Sequence, residues 1–503
     1  MASFPGDGCF RRMSRVVLRA GIWLAAGVAL GRLAGFVREA ILAAQFGRSA
    51  EGDAAVLLLT LPDTIINLLV GSAMTVVLVP PLAALRPSGG DRALVRQALV
   101  IGVLAGVGLW MGLALAGTSL VALLAPGLPG PAAAAVAAVL PIALAAIPAS
   151  LASSVLGAAL QERYRVATTA LGTLAFNGVV IVGLMWAGPG ATLGVVAVTL
   201  AVGAGLRLAL QGIDYGVALG STPPVSNTTP PSRPTGLVTA YLQTLLAGAA
   251  VLLVPVLGRA FASQAGPGEI AAYTYATKLV DLPTGMALTV VAQALFAKLA
   301  AQRAADDGVA ARALLARGLT VVLLLAGVCT GLLVVAGPLL AEAAFARGRM
   351  TLDDARHIGD LAALLAWSLP ATAVASLVAG WLQAGRDTRT PLVAGVLGLG
   401  VFVVVAALGS GPGAIQGVIW GTIALQVTVL GVLVARAWRD LPWRFSVVVP
   451  GLVAGLVVVL GARGLPTEGD LIGRLGGLGI LGLAALVFGG LALPEVRNRL
   501  WRP

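Results

Sequence analysis

Charge is scarce in this chain. Of its 503 residues only 11% are Asp, Glu, Lys or Arg, 58% are apolar, and histidine occurs once, at His357. A water-soluble globule needs a solvated, charged surface, and a composition with mean hydropathy +0.97 cannot furnish one. Cysteine is almost absent as well. Cys9 precedes the first apolar run and Cys329 lies inside the ninth, which excludes a disulfide framework and leaves Cys9 as an incidental thiol. There is no Cys/His set for a metal, no Walker-type loop and no Gly-x-Ser-x-Gly elbow, so no metal, cofactor or ATP-driven chemistry is implied. His357, among Asp353, Asp354 and Arg356, reads as an exposed loop residue rather than a base.

Long apolar runs are what the chain has in quantity. A hydrocarbon core of about 30 Å takes about 20 helical residues per crossing. Runs of that order recur at Ala20–Ala44, Ala54–Leu78, Ala98–Leu115, Ala132–Leu160, Val166–Trp186, Ala191–Leu210, Leu237–Ala262, Ile270–Leu295, Leu319–Leu340, Ile358–Leu382, Leu392–Leu408, Ala414–Val434, Val447–Gly461 and Leu475–Leu493. The weakly alternating ten-residue segments of a membrane β-barrel are missing. The expected fold is an all-α polytopic membrane protein of about 14 transmembrane helices.

Basic residues test that count, because they gather on cytoplasmic loops. With the N-terminus inside, inward segments hold 22 of the 33 Lys and Arg residues, outward segments hold six (Arg48, Arg347, Arg349, Arg356, Arg463 and Arg474), and five fall within spans. A miscounted helix would scramble this alternation, so an even count with both termini in the cytoplasm is expected. The net charge of +12 is therefore a topology signal spread over many loops, not a nucleic-acid footprint.

Two halves are visible. Pro148, Gln161 and Thr168 are matched by Pro370, Gln383 and Thr390 at a displacement of 222 residues, and Leu61-Pro62 by Leu282-Pro283 at 221. Six helices per copy give parallel repeats. The expected organisation is an N-terminal lobe over 1–218, a Ser/Thr/Asn/Pro-rich cytoplasmic linker over 219–236, a C-terminal lobe over 237–440, and two further spans with a basic tail over 441–503.

An ionisable group inside the hydrocarbon costs at least about 2.5 kcal/mol, so each one should face a cavity or a partner. Arg32, Arg38 and Glu39 lie in the first span, Asp53 just before the second, Asp63 after Pro62, and Lys278 and Asp281 before Pro283. Arg32 and Glu39 share a helix face, whereas Arg38 points about 120° from Arg32 in a straight helix. Gly27, Gly31 and Gly35 allow either close packing against a neighbour or a bend that gathers the arginines. Two arginines and a lysine in a low-dielectric cavity suit a dianionic phosphate group, with Glu39, Asp53, Asp63 and Asp281 as supporting acids. The competing reading has Arg38 and Glu39 snorkelling to the interface.

Gly31-Arg32-Leu33-Ala34-Gly35-Phe36-Val37-Arg38-Glu39, then Phe46-Gly47, Asp53-Ala54 and Leu61-Pro62, resembles the start of the MurJ/MviN lipid II flippases of the MOP exporter superfamily. So do Tyr275-Ala276-Thr277-Lys278-Leu279 with Leu282-Pro283-x-Gly285, Phe345-Ala346-Arg347-Gly348-Arg349-Met350-Thr351, and Gly385-Arg386-Asp387-Thr388-Arg389-Thr390-Pro391. The resemblance implies two six-helix lobes, alternating access, and export of a polyprenyl-pyrophosphate-linked peptidoglycan precursor by a monomer beside cell-wall synthesis proteins and membrane lipids. It maps the family's cavity cations onto Arg32, Arg38 and Lys278. Two departures stand out: Asp63-Thr64-Ile65-Ile66-Asn67 holds no basic residue where the family carries an arginine pair, and Gly71-Ser72 replaces Glu-Gly. A flippase for another lipid-linked oligosaccharide (O-antigen, teichoic or capsular units), or a scaffold that no longer transports, therefore remains an alternative. Leu392–Leu408 has no polar side chain for a sodium site.

Overall fold

In the computed structural model the described residues are 27, 29–220, 237–283, 295, 298, 299, 302, 303, 308–409, 411, 413–441, 445–462 and 471–491. Among them the regular elements are helices, apart from one isolated bridge between Gly411 and Ala414. The chain is an all-α polytopic membrane protein, and the described residues of each expected span are helical except for short breaks and ends such as Ala145, Ala191–Thr192 and Ala414–Ile415.

The chain divides into two compact units. The first comprises residues up to Gln45, Ala54–Leu123 and Pro129–Leu252; the second comprises Phe46–Asp53, Leu124–Leu128 and the chain from Leu253 onward. The division falls inside a helix, and most of the expected linker, 221–236, lies outside the described residues.

The first unit contains α1 (29–46), most of α2 (Ala50–Leu85), and α3 (Asp91–Leu115), with the short α4 (Gly117–Leu124) at its margin. It continues through α5 (Gly130–Leu144), α6 (Ala146–Glu162), α7 (Val166–Ala187), α8 (Leu193–Gly220) and the first part of α9 (Leu237–Ala262). Helix α6 packs on α3 and α8, and α7 on α8. The run from Ser150 to Leu160 is buried on every side, so α6 is the unit's central post.

The second unit contains α10 (Glu269–Pro283), α11 (Gly308–Phe345), α12 (Leu352–Leu365), α13 (Leu369–Ala384), α14 (Arg389–Gly409), α15 (Gln416–Ala437), α16 (Phe445–Gly461) and α17 (Leu471–Leu491). The two last spans pack on α11. Small residues make this possible, since a methyl group added at Gly331 would come within 2.9 Å of Val458 Cβ.

The internal repeat reaches backbone detail within each unit. Span four is broken between α5 and α6 just before Pro148, and span ten is broken at Ala366–Ser368 just before Pro370. Both helices then end in a Schellman turn. Tyr164 N–H donates to Gln161 O at 3.0 Å and Arg165 N–H to Leu160 O at 2.8 Å; Arg386 N–H donates to Gln383 O and Asp387 N–H to Leu382 O, both at 2.9 Å. Tyr164 (φ 59°) and Arg386 (φ 65°) occupy the left-handed position and, among the described residues, are the two non-glycines with positive φ. They stand 222 residues apart, the displacement read from the sequence.

A buried arginine–carboxylate cluster as candidate functional site

Helix α1 is continuous from 29 to 46, with no unwound turn at Gly31–Gly35. Gly27 and Gly31 serve close packing against α7: an added methyl group would overlap Ala170 Cβ at Gly27 and come within 3.2 Å of Thr173 at Gly31. Asn177 also donates to Gly31 O at 3.4 Å. Gly35 meets nothing within 4 Å.

The regular helix separates the two arginines. Arg32 is exposed on the unit's surface, together with Leu30, Leu33 and Val37, and makes no hydrogen bond or ion pair among the described residues. Arg38 is 4% exposed. Its Nη2 donates to Asp63 Oδ2 at 2.8 Å and to Glu39 Oε1 at 3.3 Å. Arg38 is thus not snorkelling; two carboxylates from α1 and α2 already compensate its charge.

Arg207 on α8 is drawn to the same cluster, and no motif in the sequence marks it. Asp63 is the acid whose charge it feels. Thirteen residues into α2 and fourteen into α8, Asp63 and Arg207 both lie about 20 Å along their helices. Next to Arg207 on the same helix face is Gln211, fully buried, whose Oε1 accepts from Ser153 Oγ at 2.6 Å. Two arginines, Arg38 and Arg207, thus share two carboxylates, Glu39 and Asp63, and Arg38 is the one that is bonded to them.

The other expected residues go elsewhere. Asp53 caps α10 within the second unit: its Oδ2 accepts from Gly268 N–H at 2.6 Å and its Oδ1 from Ala271 N–H at 2.8 Å. That satisfies two of the N–H groups a helix start leaves open. Lys278 and Asp281 lie on α10, Lys278 half-buried and Asp281 exposed, and both have interaction partners.

Asp53 belongs to a set of contacts within the second unit that holds the segment Phe46–Asp53. Arg48 donates through Nη1 to Glu269 at 2.9 Å and through Nε to Asp354 at 2.8 Å. His357 stands on α12, not in a loop, 3.3 Å from the same Glu269. Arg349 pairs with Glu51 at 2.9 Å. Gly47, at φ +67°, brings its backbone so close to Arg349 O that a Cβ there would be 2.8 Å away. Burial alone would raise the Asp354 carboxyl, but hydrogen bonds from Thr351 and Arg48 outweigh it and hold the group below the usual carboxylate range.

A cavity of about 1120 Å³ in the first unit lies between α2, α3, α6 and the start of α9. Among the described residues its lining is apolar apart from Gln97, Thr239 and Tyr241, and none is an arginine.

A family model described as MurJ, lipid II flippase, matches residues 42–463. The chain belongs to that family. Among solved structures it is similar to a lipid II flippase MurJ in an inward closed conformation, 14% identical, covering 96% of this chain and 100% of that one, with a TM-score of 0.78. It is also similar to an inward-facing multidrug resistance MATE family transporter of the MOP superfamily (16% identity, 82% and 98% coverage, TM-score 0.66). A MOP superfamily transporter from Pyrococcus furiosus, noted for the reverse polarity of its binding pocket, matches at 14% identity with 88% and 96% coverage and a TM-score of 0.60. A search of curated proteins finds none that matches. At these identities the structural likeness is one of fold. Membership in the flippase family makes the chain a multi-pass membrane transporter rather than an enzyme, with a lipid-linked substrate.

Proposed function

We propose that this flippase carries a polyprenyl-pyrophosphate-linked peptidoglycan precursor, lipid II, from the inner to the outer leaflet of the bacterial cell membrane by alternating access. The observation that carries the reading is the family match over residues 42–463. Its chemistry fits an anionic head group. Pyrophosphate oxygens pair bidentately with guanidinium groups, and Arg32 offers one with no acceptor among the described residues. Arg38 reaches the same head group by exchanging one of its carboxylates, and Lys278 enters as a third cation on the strength of the resemblance. The apolar cavity beside α3 suits chain carbon rather than phosphate, which leaves the isoprenoid tail in contact with lipid. A membrane potential negative inside favours outward passage of the anion and return of an empty cationic site, at about 2.3 kcal/mol per charge per 100 mV.

The unoccupied basic positions over Asp63–Asn67 favour a second reading, a flippase for another lipid-linked oligosaccharide. Replacing the resident flippase of depletable bacteria by this chain separates the two. Restored growth with lipid II reaching the outer leaflet is expected for the wild type, and a marked loss for Arg32→Ala. A wild type that reaches the membrane and does not restore growth overturns the lipid II assignment. Full activity of Arg32→Ala overturns the role of that arginine alone.

A further inference from the structure

Arg207 and Gln211 form a set of donors without an acceptor. Helix α8 is apolar around Arg207, yet the guanidinium Nε is sealed from solvent and has no hydrogen-bond partner. Gln211 Nε2, one turn further on, is sealed and unpartnered as well. Both lie over Gly172 of α7: a methyl group there would come within 3.0 Å of Arg207 Cγ and 3.3 Å of Gln211 Nε2. Thr169, one turn back on α7, adds a third sealed group, its Oγ1, that has no partner. Among the described residues Arg207 makes no ion pair, and Asp63 is bonded to Arg38. Its terminal nitrogens likewise have no partner among the described residues, but unlike Nε they are not sealed.

Each buried donor left open costs about 1–3 kcal/mol, and arginine cannot escape by losing its proton. Such an arrangement persists when something outside the protein supplies the acceptors. The open guanidinium end, backed by an amide donor and a hydroxyl in a low-dielectric wall, suits a phosphate oxygen.

We propose that Arg207, with Gln211 behind it, binds a phosphate of the transported lipid's head group, and that Asp63 is its competitor in the empty protein. This rests on the lipid-pyrophosphate reading above and names a residue for it. Within the cluster Arg38 must give up a carboxylate before it can bind a ligand, whereas Arg207 is already open for one.

The test uses the full chain in nanodiscs and three probes: undecaprenyl pyrophosphate, undecaprenol and inorganic pyrophosphate. Binding is followed by intrinsic tryptophan fluorescence and melting temperature is recorded without ligand. For the wild type, undecaprenyl pyrophosphate should bind at least tenfold tighter than undecaprenol. Arg207→Met should abolish that preference while leaving undecaprenol affinity unchanged, and Arg207→Lys should fall between. Gln211→Glu is the decisive variant. It gives Arg207 an internal acceptor, so it should raise the melting temperature and weaken pyrophosphate binding at least tenfold, a split that a purely structural role cannot produce. Asp63→Asn should tighten binding severalfold, and Arg439→Ala, a surface cation, should bind as the wild type does.

A preference for pyrophosphate that survives both Arg207→Met and Gln211→Glu overturns the assignment of Arg207 and leaves the lipid reading standing. Inorganic pyrophosphate binding that depends on Arg207, without preference between the two lipids, keeps the anion site and sinks the lipid reading. Binding of neither pyrophosphate probe overturns both.

Discussion

Removing Arg38 should be the most damaging single change in the first unit, and the structure says by how much relative to its partners. Arg38 is 4% exposed and Glu39 is 0% exposed, so Arg38→Met takes a bonded cation from a fully buried carboxylate. Breaking a buried ion pair from one side costs about 3–5 kcal/mol in soluble proteins. Polar couplings within membranes average nearer 0.6 kcal/mol and reach about 1.7, because the unfolded chain also finds partners in the bilayer. A charge sealed at Glu39 belongs near the upper range, and we expect about 3 kcal/mol for Arg38→Met. Asp63→Asn should cost about 1–2 kcal/mol, since Arg38 keeps Glu39 and the Asp63 side chain is 26% exposed. In a double-mutant cycle the pair should cost about 1–2 kcal/mol less than the sum of the singles, and adding Glu39→Gln to Arg38→Met should recover a comparable amount. The assay is reversible unfolding in mixed micelles followed by circular dichroism. Equal effects of Arg38→Met and Asp63→Asn, or no recovery by Glu39→Gln, would refute the reasoning that Arg38 neutralises two carboxylates.

Other perturbations have distinct signs. Gly27→Ala should lower stability by about 1–3 kcal/mol through its collision with Ala170, while Gly35→Ala, which meets nothing, should be neutral or stabilising by up to about 1 kcal/mol; melting temperatures distinguish them. Tyr164→Gly and Arg386→Gly should each raise stability by about 0.5–1 kcal/mol, because glycine takes the left-handed position without strain and both side chains are exposed; a loss at either site would contradict the Schellman assignment. Asp53→Ala should cost about 1–2 kcal/mol and speed amide exchange at the start of α10, since both carboxylate oxygens cap that helix. The Arg48 anchor should also weaken in acid. The folded-state carboxyl of Asp354 lies below its unfolded value, so its stabilisation is present above about pH 4 and is lost as pH falls through the depressed value. Arg48→Met should flatten that part of the melting profile, and an unchanged profile would remove Asp354 from the anchor.

Sequence patterns of low frequency carried the fold. Apolar runs at bilayer length, alternating loop charge and a 222-residue displacement are each averages over many residues, and they survive without knowledge of contacts. The same displacement predicts the paired breaks before Pro148 and Pro370, because a proline ring blocks the same backbone bond wherever it recurs. Site residues were legible only as ionisable groups in the wrong solvent: Arg32, Arg38, Glu39 and Asp63 qualify on that ground, and the structure brings three of the four together.

Which charges are already spent depends on neighbours far along the chain. Arg38 and Arg32 look alike in sequence, yet one is compensated by Asp63, 25 residues away, and the other is not. Asp53 reads as a cavity acid and is a helix cap, because the residues it bonds lie 215 and 218 positions later. Arg207, alone in an apolar helix, becomes a candidate for ligand binding only when α7 and α8 are packed and its buried Nε and the neighbouring Gln211 Nε2 prove to have no partner. Composition and periodicity determined that this chain crosses a membrane many times; the pairing of buried charges, which needs three-dimensional distance, was decided by the tertiary structure.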